Sequence, residues 1–503
     1  MSDPFYITTA ISYPNGPPHI GHAYEAIAAD AIARFQRARG RDVRFQTGTD
    51  EHGLKMAQAA RGEGVEPRAF ADKMSQLFQQ MCDTLNVSYD RFIRTSEADH
   101  YRASQAIWSA MEERGDLYLD RYEGWYSVRD EAYYEPDELT SAEDGTKLSP
   151  QGTPVEWTVE ESWFFRLSKY QQPLLDHYAA NPDFIQPDSR RNEVVRFVEG
   201  GLKDLSISRT SFDWGVPVPE SDNHVMYVWL DALTNYITGL GYPDDTELWR
   251  HYWPANIHLI GKDVVRFHAV YWPAFLMSAG IELPKQVYGH GFLLSRGEKM
   301  SKSVGNVVDP MVLADRFGVD ALRYFLLREV SFGQDGSYSA EAIVNRANAE
   351  LANSFGNLAQ RTLSMIFKNL DGVIPDAGED QADRELLDLV KIATEREVPE
   401  AFDRLAFSVG IEVWIRAVFA CNAYVDAQAP WALRKTDPDR MAAVLGTLVK
   451  AVRELTVAIA PIIPDSADKL LSQIDVGEGG TPITQPVPLF PRLELPEDEE
   501  AAA

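Results

Sequence analysis

Two short stretches of this chain carry residue types suited to handling a phosphate. His19-Ile20-Gly21-His22 sets two imidazoles one helical turn apart around a glycine. It directly follows the β-branched and aromatic run Phe5 to Tyr13 and the loop Pro14-Asn15-Gly16-Pro17-Pro18. The order reads strand, tight loop, helix start. Unpaired backbone N–H groups and the positive end of the helix dipole attract anions at such a place, and His19 and His22 add donors as charge develops on a phosphoryl group. Gly21 leaves room for a nucleotide against the backbone. The second stretch, Lys299-Met300-Ser301-Lys302-Ser303, puts Lys299 and Lys302 with two hydroxyls in a short loop that can close on a polyphosphate. Taken alone, each stretch also fits a plainer account: packing residues for the histidines, a solvated basic loop for the lysines.

Positioning such groups is the work of a parallel sheet. After a segment of helical spacing from Ala23 to Arg37, the apolar run Val43 to Thr47 leads to Gly48-Thr49-Asp50 and another helix-like segment. This is the βαβ rhythm of a doubly wound, Rossmann-like α/β domain, whose ligands gather at the carboxyl ends of the strands. The rhythm resumes at Ile257 to Ile260, followed by Gly261-Lys262-Asp263, and at Val287 to His290. Turn-rich segments interrupt it in between. Beyond about Ser339 the chain reads as helix to Gln473, with Phe407, Ile411, Trp414 and Val418 as one core face and the acidic Asp376 to Asp383 as a linker. The expected organisation is therefore an α/β domain in two halves, 1–117 and 218–285, around an inserted connective domain at 118–217. Residues 286–338 carry the lysine loop, 339–475 form an all-α bundle, and 476–503 are a C-terminal tail.

Composition narrows the function classes. Lysines and arginines number 48 against 76 aspartates and glutamates, a net charge of −28, so general attraction to a polyanion is excluded and any nucleic-acid contact must be local. A basic strip is expected to run from Lys299 and Lys302 towards Arg361. The longest apolar stretches, such as Leu455 to Ile463, fall short of the roughly 20 residues of a bilayer span, and Met1-Ser2-Asp3-Pro4 does not begin a secretion signal. A cytoplasmic protein with no membrane partner is expected. Cys82 and Cys421 are the only cysteines, which excludes a disulfide framework and a four-cysteine zinc site and leaves one bridge formally open.

Together the two stretches are identified as the HIGH and KMSKS signatures of class I aminoacyl-tRNA synthetases. Thr9 to Gly16, Val228 to Ala232 and Phe267 to Ala274 closely resemble the methionyl-tRNA synthetases, a likeness extending from residue 5 to about 495. The resemblance implies a ligase that forms methionyl-adenylate from L-methionine and ATP with Mg2+, then transfers methionine to the 2′-hydroxyl of the terminal adenosine of initiator and elongator tRNA(Met). It implies catalytic roles for His19, His22, Lys299 and Lys302. The methionine pocket would comprise Ile11, Tyr13, Trp229, Ala232, Leu233, Tyr236, Phe267, His268 and Trp272, with Asp50 on the ammonium; a thioether suits such an aromatic surround. Gly21, Gly261, Asp263, His290, Leu293 and Lys302 would hold ATP, Asp263 through the ribose. Asn357, Arg361 and Trp431 would read the anticodon, and stacking plus base-edge bonding fits those residue types.

Two departures from the family pattern matter. Gly124 to Glu131 is free of cysteine where many members build zinc knuckles, so the zinc-less subtype, with no structural zinc and no other resident metal, is expected. The chain ends near Ala503 without the appended dimerising domain of some members, so a monomer is expected, with no DNA partner. Rival readings are a synthetase for leucine or cysteine, a small nucleotidyltransferase, and an RNA-binding paralogue without activity. The chain has neither a large editing insertion nor a cysteine-zinc pocket, and its histidine and lysine motifs are intact.

Overall fold

The computed structural model describes residues 3–130, 132–142, 144–295, 298–299, 307–478 and 481–495. The chain opens with strand β1 (Pro4–Thr9), helix α1 (Ile20–Ala38) and strand β2 (Asp42–Thr49). Strand β3 (Arg91–Arg94), helix α2 (Ala98–Glu113) and two long strands, β4 (Leu117–Ser127) and β5 (Glu156–Phe165), follow. Next come β6 (Ile185–Gln186), α3 (Asp188–Glu199), α4 (Val228–Thr238), β7 (Ile257–Gly261), α5 (Trp272–Ala279) and β8 (Val287–His290). Two compact units share the chain: residues up to 18, 39–83 and 88–290 make the first, and 19–38, 84–87 and the described residues from 291 onward make the second.

In the first unit six strands lie in the order β3-β2-β1-β7-β8-β6, every neighbouring pair parallel. Strands of such a sheet are covered on both faces, and the run Phe-Tyr-Ile-Thr-Thr of β1 is buried throughout. The direction of winding reverses between β1 and β7, the switch point beyond which α/β sheets bind ligands. A separate antiparallel sheet lies within the same unit, in which β4 and β5 pair from Leu117 opposite Phe165 to Tyr126 opposite Glu156. One boundary needs correction. Strand β6 lies inside 118–217, yet Ile185 and Gln186 pair with Val287 and Tyr288 as the edge of the central sheet. Two residues are too few to show a period in sequence.

In the second unit β9 (Leu293–Ser295) is flanked by β10 (Glu298–Lys299), helix α6 (Val319–Glu329) follows, and β11 (Gly336–Tyr338) closes the small sheet. The bundle comprises α7 (Asn357–Asn369), α8 (Gln381–Ile392), α9 (Phe407–Gln428), α10 (Pro430–Thr436), α11 (Pro438–Ile459) and α12 (Pro464–Glu478). Phe407, Ile411, Trp414 and Val418 are all buried, and the Trp414 indole donates to the Leu455 carbonyl at 2.9 Å. Contrary to the expectation from apolar run length, Phe407–Thr436 is long and apolar enough by length and composition to cross a bilayer. Half of its apolar window is buried, as in a core helix.

Three further differences have physical causes. Helix α1, expected within 1–117, groups with the second unit, because Asp30 pairs with Arg323 of α6 at 2.6 Å and Phe35 packs edge-on against Phe402. Asp383, read as linker, is the third residue of α8. It closes a capping box with Asp380 and accepts two bonds from Arg440 at 2.5 and 2.8 Å and one from Tyr424. The tail turns back on the bundle at 481–495: Asn348 exchanges two 2.8 Å bonds with the Leu493 backbone, and Gln360 donates to Pro486. Cys82 and Cys421 are free and buried.

Candidate functional site

Four strand ends converge in the first unit. Beyond β1, Ser12 bridges to Thr49, giving a bond from its own N–H to Gly48 and receiving one from the Asp50 N–H, both 2.9 Å. Ile11 and Tyr13 flank this bridge, so the structure gathers them with Asp50, which is buried. Tyr13 also accepts a bond from the Met56 N–H at 3.2 Å. Gly261 ends β7 and Asp263 follows it in a single 3-10 turn, exposed rather than capping a helix. A Cβ on Gly261 would stand 2.7 Å from the Asp263 carboxylate, so glycine is what lets that side chain lie across the strand end. His290, buried, ends β8.

The aromatic pocket forms beside these ends. Trp229 stacks on Phe267 with ring centres 3.7 Å apart and planes 6° from parallel. The Tyr236 hydroxyl lies 2.6 Å from His268 Nε2, while His268 Nδ1 reaches the Val264 carbonyl at 3.0 Å. The carbonyl can only accept, so the His268 proton sits on Nδ1 and Nε2 accepts from tyrosine. Ala232 and Leu233 belong to the same helix α4, and Trp272, fully buried, closes the group against Tyr236. Burial, opposed by the Val264 bond, takes the His268 pKa down to about 4. The pocket therefore offers neutral groups only, matching a ligand without charge at that end.

Two supports of this pocket escaped the sequence. His258 stacks on Tyr236 at 4.1 Å, accepts from the Trp272 indole at 3.3 Å and bonds Thr8 at 2.7 Å. Burial, with His268 nearby, keeps its pKa well below the usual imidazole value. The second is Asp231, fully buried, whose carboxylate oxygens meet His52 Nδ1 and His100 Nε2 at 2.7 Å each. Burial alone would raise its pKa; the two histidines overcome that and hold it at about 2. His52 follows Asp50 by two residues, and between them Glu51 is tied to Arg94 at 2.7 and 3.0 Å. Helix α4 and the segment carrying Asp50 are thus stitched together. A carboxylate inside Val-Trp-Leu-Asp-Ala-Leu was the available signal, since no acid buries itself there without partners.

The second unit holds the histidine motif. Ile20 opens α1, and its N–H donates to the Val308 carbonyl at 2.9 Å, bringing the motif to the chain just beyond the lysine loop. The rings of His19 and His22 stack at 3.8 Å. His19 Nδ1 accepts from the Gly21 N–H and His22 Nδ1 accepts from the His19 N–H, both at 3.1 Å. Each neutral ring therefore carries its proton on Nε2, a donor suited to an oxyanion. A Cβ at residue 21 would come within 2.9 Å of the His19 ring, so glycine permits the stack. Leu293, buried, begins β9 and Lys299 ends β10. Lys302 lies outside the described residues. In the bundle, Arg361 stands over the half-exposed Trp431 ring at 5.5 Å, with Asn357 exposed one turn away on α7.

At the tip of the inserted hairpin hydroxyl side chains meet around one carboxylate. Asp130 accepts from Ser149 at 2.7 Å, from Tyr134 at 3.0 Å and from Thr153, which also bonds Ser127 at 2.8 Å. Structural zinc takes thiolate and imidazole, and this donor set does not fit it.

Comparisons with known proteins identify the family. The family described as tRNA synthetases class I (M) matches residues 5–363, and the anticodon binding domain of methionyl tRNA ligase matches 374–485. A methionine–tRNA ligase of Brucella suis is 59% identical, covering 97% of this chain and 98% of its own. One from Rhizobium meliloti is 57% identical over 99% of both chains. The structure of Mycobacterium tuberculosis methionyl-tRNA synthetase in complex with methionyl-adenylate superposes with a TM-score of 0.94 at 56% identity, covering 97% of this chain and all of that one.

Proposed function

The chain belongs to the methionyl-tRNA synthetase family of class I enzymes, and from that premise we propose how its own residues divide the work. It ligates L-methionine to tRNA(Met) in two steps, forming methionyl-adenylate with release of pyrophosphate and then esterifying the 2′-hydroxyl of the terminal adenosine. The observation that carries this function is identity of 56 to 59% with methionine–tRNA ligases along nearly the whole chain.

In the first step the methionine carboxylate attacks the α-phosphate in line. His19 and His22 present Nε2–H donors to the charge that develops there, and Lys302, helped by Lys299, takes the charge of the departing pyrophosphate. Asp50 holds the substrate ammonium, and the Trp229, Phe267, Tyr236, His268 and Trp272 surfaces enclose the thioether. Asp263 accepts from the ribose, Gly21 and Gly261 give the nucleotide backbone access, and His290 and Leu293 flank the adenine. Alignment supplies much of the rate, so no covalent enzyme nucleophile is needed. The ATP phosphates would carry Mg2+ into the site as part of the substrate. Asn357, Arg361 and Trp431 read the anticodon by edge bonding and stacking. The enzyme acts in the cytoplasm, as a monomer, on both initiator and elongator tRNA(Met).

The test is amino-acid-dependent ATP–pyrophosphate exchange across the twenty amino acids plus homocysteine and norleucine. Methionine is expected far above the rest. Norleucine and homocysteine should be the nearest competitors, since one methylene or one heteroatom in an apolar pocket is worth about 1–3 kcal/mol. Absence of exchange from folded protein would remove the assigned chemistry.

A further inference from the structure

The expected basic strip from Lys299 and Lys302 towards Arg361 falls partly outside the described residues, and a separate group of arginines stands in the first unit. Helix α3 and the start of the turn before α5 enclose a cleft of about 730 Å³ lined by Arg190, Glu193, Arg196, Phe197 and Arg266. Only Arg190 has a carboxylate, Glu193 at 2.6 Å. Arg196 and Arg266, both exposed, make no ion pair among the described residues, and the Nε of Arg190 in the same lining is buried without a partner. In a chain with 76 acids against 48 bases, cations left without an acid mark a place kept for an outside anion. The Arg266 guanidinium lies over the Phe197 ring at 3.9 Å, a cation and aromatic pair of the residue types on which bases stack.

The cleft adjoins the site already described. Arg266 immediately precedes Phe267 of the pocket wall, and the Arg190 stem comes within 3.4 Å of where a Cβ on Gly289 would stand, next to His290 at the end of β8. We propose that this cleft holds the single-stranded 3′ end of tRNA, its phosphates on Arg196 and Arg266 and a base on the Arg266–Phe197 pair. The proposal rests on the function argued above, because the transfer step needs a terminal nucleotide delivered beside the pocket. An acidic peptide would satisfy the arginines and leave the stacking surface unused, so RNA fits the whole arrangement better.

The test compares two transcripts of tRNA(Met), full length and lacking the last three nucleotides, bound to wild type and to the Arg196→Ala/Arg266→Ala double variant across a salt series. For wild type, truncation is expected to weaken binding about 10-fold, the order of one stacked base. The double variant should bind both transcripts equally, with the slope of log affinity against log salt reduced by about 1.4, or about 0.7 for each single-strand phosphate no longer neutralised. Aminoacylation at low tRNA concentration should fall at least 10-fold more than methionine-dependent exchange. Equal weakening of both transcripts would place the arginines on another part of the RNA and overturn the proposal. No weakening of either would give the cleft to a different anion and overturn it too. Failure of the underlying function would show separately, as wild-type protein without methionine-dependent exchange.

Discussion

Two helices of this molecule each carry a fully buried aspartate, and the two are held by different partners, arginine in one and histidine in the other. Asp30 of α1 is held by Arg323 at 2.6 Å and Arg34 at 2.7 Å, and Arg323 spends its remaining donors on the carbonyls of Leu85, Pro461 and Ile462. Asp231 of α4 is held by His52 and His100. Arginine is always charged and its fork can fasten several chain segments at once, so it suits the anchor of a helix that begins at the two stacked histidines. Histidine is compact, keeps a second ring nitrogen for another bond and can pass orientation on, here to Tyr101 and Thr238. The first device fixes a helix to its own unit. The second tunes the angle between a pocket wall and the segment bearing Asp50.

The sharpest way to break this contrast is Arg323→Ala. It strands the Asp30 carboxylate and several carbonyls, and denaturant unfolding should show a loss of about 3–5 kcal/mol, the usual result of removing one partner from a buried pair. A loss below about 1 kcal/mol would mean that Arg34 alone suffices.

Acid sharpens it next. The folded pKa of His268 is about 4, below the ordinary imidazole value of about 6.5, so the unfolded chain takes up the proton first as pH falls. The stability owed to a neutral His268 is complete above about pH 6.5 and declines towards pH 4, by about 3 kcal/mol in all. Asp231, whose pKa its two histidine partners hold below the ordinary carboxylate value, keeps its contribution through this window. Unfolding measured from pH 7 to 4.5 should therefore show a slope that His268→Asn flattens in part, with His258 supplying the rest, and that Arg323→Ala leaves in place.

The smallest effect is expected from Asp231→Asn, which retains one hydrogen bond while losing the charge, at about 2 kcal/mol. Its distinguishing mark is kinetic: KM for methionine in exchange should rise several-fold while KM for ATP stays within about twofold. Equal changes in both would reduce Asp231 to a packing residue.

How far these devices could be read beforehand depends on how local they are. His19, Gly21, His22 and the lysine loop are contiguous, and their place after a β-branched run made the chemistry legible. Asp50, Gly261 and His290 were legible as strand ends, because a parallel sheet puts its ligands there. His258 was hidden inside an apolar strand, and its use follows only from Trp272 and Tyr236 arriving from distant helices. Asp231 signalled burial without naming His52 and His100, which lie far away in sequence. Helix α1 was assigned by neighbourhood in the chain to the α/β half, although a single buried arginine some 290 positions later decides its grouping. Strand β6, two residues long, and Asp383, a helix cap that looked like linker, show the same limit: short elements are set by partners, not by period.

The hairpin tip joined by Ser127, Asp130, Ser149 and Thr153 bears on how this enzyme withstands its surroundings. A knuckle closed by hydroxyls around one carboxylate leaves a chelator nothing to extract and an oxidant no thiolate to attack. Its folding waits on no metal delivery. Elsewhere, burial pushes the Cys421 thiol up to about 12, so little thiolate forms there either. The described part of this tip is thus held by side chains that neither a chelator nor a thiol oxidant can act on.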